Sequence, residues 1–239
     1  MTRQLTLAST HFTRIGGIAA VGFAVAITLS NVIMVPAGLP TTGAEIGEVT
    51  EFFSTQGVAV GIGSALTPAA WILATLFGAG ALVASRRAER DLGEAWSLLG
   101  LVGLALQNVT FAGVVATRLA LTSTAPHDSS ATAGLWALHD AVFTLNGTFL
   151  ALALVGLSVG GLRTGLIRPW HGTLGLLAAA LQFASATLAH WVIDHGGALG
   201  LIGLAGWLVW VVWIVAYGIT LIRQKPGAPA RGPAQGQTA

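Results

Sequence analysis

The chain has 239 residues, of which 54% are hydrophobic and only 8% charged, and its mean hydropathy is +0.77. So little charge cannot clothe a water-soluble domain of this size, and the composition points to an integral membrane protein. The absence of cysteine excludes disulfides, thiolate metal sites and thiol redox chemistry, and a formal net charge of +2 gives no electrostatic footing for nucleic acid.

In chain order, six apolar segments are predicted as transmembrane helices, over residues 15–37, 58–85, 96–121, 133–161, 169–193 and 199–222. Each reaches the ~20 residues that cross ~30 Å of hydrocarbon as a helix. The first is longer than the apolar region of a cleaved signal peptide and reads as a retained anchor. Pro68, after Thr67, predicts a kink in the second span, with freed carbonyls taken up by Ser or Thr hydroxyls.

Two connections and the tail carry their own pattern. Over residues 41–57, Ile46, Val49, Phe52 and Phe53 recur at helical spacing while Glu45, Glu48 and Glu51 fall on another face. This predicts an interfacial helix near residues 43–55, capped by Thr41 or Thr42, either covering the outer surface or acting as a lid. The segment SRRAERDLGEA reads as a short solvated link. Residues 223–239, rich in Pro, Gly and Gln, predict a disordered tail.

The cations set the orientation. Arg3, Arg14, Arg86, Arg87, Arg90, Arg163, Arg168, Arg223, Lys225 and Arg231 all fall on one side of a six-span topology. The positive-inside rule makes that side cytoplasmic, with both termini there. The expected fold class is therefore all-α: a polytopic protein of the cell membrane with a cytoplasmic segment 1–14 and a bundle over 15–222.

Arg118 is the exception, since it lies inside the third span. Ionisable groups at membrane depth are expensive, so they mark partners or function. His139 and Asp140 enter the fourth span at a similar depth, and His190 and Asp194 stand one turn apart at the outer end of the fifth. Asn31 lies in the same outer half, with Asn146 and Gln107 deeper.

One reading is an outward-opening pocket for a small, largely apolar molecule. Arg118, Asn31, Asn146 and Gln107 would then hold the ligand, while His139, Asp140, His190 and Asp194 handle protons. Trp207 and Trp210, which lead an aromatic stripe continuing to Trp213 and Tyr217, would wall such a pocket or else simply pack. The alternative is an accessory subunit, in a homo-oligomer or beside a partner membrane protein, whose polar cluster only pins the bundle. A third reading is haem on His139 and His190, or a metal on His139, His190 and Asp194 with Asp140 as a ligand or behind them. A proton or ion path ranks behind these, because the inner halves of the spans lack matching charges. His171 and Trp170 read as interfacial, and Trp96, Trp136 and Trp191 as members of the aromatic belts.

The segments TRIGGIAAVGFAVAI, LWALHDAVFTLN and GLIRPWHGTLGLLAAAL, in this order, resemble a family of uncharacterised actinobacterial six-helix membrane proteins, a domain of unknown function. The resemblance implies fold and topology and brings no activity, substrate or catalytic residue.

Overall fold

The computed structural model describes residues 2–195 and 197–224. Among these it is all-helical: α1 (Thr2–Met34), α2 (Ile46–Thr55), α3 (Gly57–Ala65), α4 (Thr67–Leu92), α5 (Trp96–Thr124), α6 (Ser129–Arg163), α7 (Pro169–Thr187), α8 (Ala189–His195) and α9 (Gly200–Arg223), with a 3₁₀ turn at Gly197–Leu199. Residues 225–239, most of the expected tail, lie outside the described residues.

Five stretches are long and apolar enough to cross a membrane: His11–Met34, Gly57–Leu92, Trp96–Thr124, Ser129–Arg163 and Gly200–Arg223. Their apolar character extends outwards as well as inwards. Ile18, Val32, Val58, Ile72, Val109 and Leu201 are all exposed, a surface that suits lipid and not water. The expected fifth span is not among the five. Polar His171 and Gln182 dilute α7, which runs 19 residues before the helix breaks at Leu188. The Thr187 hydroxyl, on the last residue of α7, donates to the Phe183 carbonyl at 2.8 Å.

Each long helix packs on the next in sequence. Pairings such as Gly16 with Gly80, Gly100 with Leu157 and Gly175 with Trp213 run antiparallel. α9 then returns against α1, so α1, α4, α5, α6, α7 and α9 close a six-membered ring. The α5 and α6 backbones come very close, and a Cβ on Gly156 would stand 2.3 Å from the Gly100 nitrogen. Small residues let the backbones touch there. The alternation gathers Arg14, Arg86, Arg90, Arg163, Arg168 and Arg223 at one end of the ring.

The second span is broken as Pro68 predicted. Pro68 cannot donate to the Ser64 carbonyl, and the Thr67 hydroxyl does so instead at 2.7 Å. Ser30 on α1 covers the adjacent Gly63 carbonyl at 3.1 Å. The amphipathic segment also forms a helix, with Val49, Phe52 and Phe53 buried. Its N-cap is Glu45, without a side-chain bond, and not Thr41 or Thr42.

At the cation-rich end, α4 continues to Leu92, and the supposed link shrinks to Gly93–Ala95. Glu89 on that last turn is buried, and its carboxylate accepts from the backbone N–H and the hydroxyl of Ser97. An anion at a helix start is well placed electrostatically. His171 is also buried and not interfacial, with Nε2 donating to the Trp213 carbonyl at 2.9 Å. The inner half therefore does hold a buried acid and a buried imidazole.

Candidate functional site

The antiparallel α5–α6 pair carries Arg118 and His139 to the same level, at the end of the ring remote from the cations. Arg118 Nε donates to His139 Nε2 at 3.0 Å. Because Nε2 accepts, the imidazole proton sits on Nδ1, which faces Asp140 Oδ1 at 3.1 Å. The second Asp140 oxygen, Oδ2, accepts from the Gly43 backbone N–H at 2.8 Å. All three side chains are buried. Arg118 and Asp140 thus do not hydrogen-bond directly among the described residues; the His139 imidazole stands between them.

Aromatic rings frame this chain of bonds. His139 lies between Trp136, with ring centres 4.6 Å apart and planes 10° from parallel, and Phe143, at 5.8 Å and 6°. The three rings follow one face of α6, at i, i+3 and i+7. The Arg118 guanidinium sits 5.9 Å above the Phe143 ring, within cation–π range. Trp136 is buried here rather than in an interfacial belt, and Phe53 of α2 packs on it at 6.1 Å.

The segment bearing Gly43 and α2 therefore roofs the site. Gly43 adopts φ +78°, a conformation open to glycine, with Gly38 (φ +91°) at the other end of the approach. Under this roof several polar atoms lack partners. Only one of the five guanidinium N–H donors of Arg118 is engaged among the described residues. Trp136 Nε1 is there a buried donor without an acceptor among the described residues; Gln107 Oε1 and Asn146 Oδ1, deeper along α5 and α6, are buried acceptors without donors among the described residues.

The other expected members lie elsewhere. His190 and Asp194 pair with each other at 3.3 Å on α8, but both are exposed, and no hydrogen bond joins them to Arg118, His139 or Asp140 among the described residues. Asn31 donates to the Ile27 carbonyl of its own helix at 2.9 Å. Trp210 is buried edge-on against Phe23 at 5.4 Å, and Trp207 packs beside it, so this stripe fills the bundle interior. Among the described residues no group of three His, Asp or Glu is arranged to hold a metal ion. His139 also has both nitrogens engaged, so neither a metal nor a haem iron finds a ready ligand there.

Sequence reasoning missed Gly43, whose contribution is a backbone N–H that only tertiary folding delivers. No protein-family model, curated protein or solved structure matches the chain.

Proposed function

We propose that the protein is a six-span component of the cell membrane, with α7 as the sixth span and both termini cytoplasmic, allied to the uncharacterised actinobacterial six-helix proteins it resembles. In this reading it binds a small, largely apolar molecule bearing a carbonyl or carboxylate oxygen at the outer face. The carrying observation is the Trp136 indole N–H, buried under the roof with no acceptor among the described residues, beside Arg118, of which only Nε is hydrogen-bonded there. Buried donors without acceptors are costly, and an acceptor-bearing ligand removes that cost. Trp136, Phe143 and Phe53 supply the apolar walls. Binding suits the geometry better than proton chemistry, since the accepting nitrogen of His139 is already occupied by Arg118.

The accessory-subunit reading has one observation in its favour. Both Asp140 oxygens and both His139 nitrogens are engaged, which is what a cluster that only fixes helix register requires. Mass spectrometry of the gently extracted protein separates the two. A small organic molecule retained by the wild type and lost from Arg118→Gln, at unchanged thermal stability, supports the pocket. A bundle with no retained molecule, whose Arg118→Gln variant is merely less stable, supports the scaffold.

A further inference from the structure

At the opposite end of the ring, α4 and α5 part to leave a hollow of about 410 Å³, lined by Leu82, Arg86, Glu89, Arg90, Glu94 and Leu98. A second hollow of about 460 Å³, lined by Trp96, Leu98, Leu99 and Val102, adjoins it through Ala95 and Leu98. The charges in the first are unevenly committed. Glu89 is taken by Ser97, and Glu94 by an ion pair with Arg163. Arg86 and Arg90 are both exposed, stand one turn apart on α4, and have no ion pair among the described residues. The anions of the hollow are thus satisfied and its cations are free.

Polarity then falls off in one direction. Beyond the two guanidinium groups comes the half-buried Trp96 indole, a residue type suited to the headgroup level. Beyond that, exposed Leu98, Val102, Leu106 and Val109 follow one face of α5. At 1.5 Å per residue this track is about 16 Å long. Cation pair, interfacial indole and aliphatic track reproduce the order of phosphate, glycerol backbone and acyl chain in a phospholipid.

We propose that the α4–α5 hollow binds one anionic phospholipid, its phosphate on Arg86 and Arg90 and an acyl chain along Leu98, Val102 and Leu106. Planar guanidinium groups suit a bidentate grip on phosphate oxygens. The site is independent of Arg118 and stands or falls without the outer pocket.

The test is native mass spectrometry of the full chain released from nanodiscs containing phosphatidylglycerol and phosphatidylcholine. One phosphatidylglycerol should survive detergent washing in preference to phosphatidylcholine. Arg86→Gln with Arg90→Gln should weaken that adduct about thirtyfold, from the electrostatic contribution of two cations near a membrane surface. Arg87→Gln, which alters an exposed cation outside the hollow, and Arg118→Gln should leave it unchanged. Equal retention of both lipids, or equal loss in Arg87→Gln, would overturn the proposal. Should the double variant fail to fold, the wild type decides: its phosphatidylglycerol adduct should weaken between about 0.1 and 1 M salt, and salt-insensitive retention would sink the idea.

Discussion

Arg118 and Asp140 carry opposite charges on neighbouring helices, yet the neutral imidazole of His139 separates them and hydrogen-bonds to both. Removing Arg118 leaves the His139 lone pair without a donor and the Asp140 charge without its countercharge. Removing His139 as well relieves the first of these. Arg118→Ala and His139→Phe should therefore couple in a double-mutant cycle of unfolding in detergent, by about 1–3 kcal/mol. Losses that add to within about 0.5 kcal/mol would mean that the Arg118–His139 bond contributes nothing. Individual residues were unevenly legible. A cation inside an apolar run announces itself, which is why Arg118 stood out. Glu89 did not, because it lies among charges on every side in SRRAERDLGEA. The signal was nevertheless present: Ala74, Phe77, Ala81, Ser85 and Glu89 continue one buried stripe of α4, so extending the helical period one more turn would have turned Glu89 inwards.

At the scale of elements, the roof over the site is held by the Gly43–Asp140 bond and by the apolar face of α2. Asp140→Asn keeps the shape but removes the charge that strengthens this bond. Amide exchange at Gly43 and its neighbours should then accelerate roughly tenfold or more, with α5 and α6 unaffected. Exchange that stays at the wild-type rate would show that α2 holds the roof alone. Gly43 holds a left-handed φ of +78°, so Gly43→Ala carries a conformational cost of about 1–2 kcal/mol and should also loosen the roof. The Pro68 break gives a sharper case. Ser30→Ala strips the Gly63 carbonyl of its partner in an apolar setting and should lower stability by about 1–3 kcal/mol. A melting temperature equal to wild type would mean that another donor takes over. The proline made this break readable beforehand, whereas no proline or glycine in the sequence marks the interruption at Leu188.

At the scale of the molecule, six helices close the ring, while among the described residues five stretches meet the length and hydropathy expected of a span. α7 occupies a ring position between α6 and α9, and its 19 residues fall within the range that crosses a bilayer. Reporters active in the cytoplasm should work when fused after Arg90, Arg163 and Arg223, and those near Gly43, Pro126 and Gly197 should report the outside. Cytoplasmic activity at Pro126 would overturn the topology. The all-helical, multi-span character and the distribution of the cations were accessible from the sequence, because membrane spans are coded by length and apolarity. Ring closure was not, since it depends on which small residues face each other, and the many glycines of the sequence do not say which.

The closing contact of that ring is between the first long helix and the last. A Cβ on Gly17 would stand 2.6 Å from the Gly218 carbonyl oxygen, so the two backbones touch. During synthesis the first helix enters the membrane with this face bare and waits for nearly the whole chain before its neighbour arrives. His171 waits likewise, because its acceptor belongs to Trp213. A chain cut short before Gly200 would thus leave an open arc with an imidazole turned to lipid.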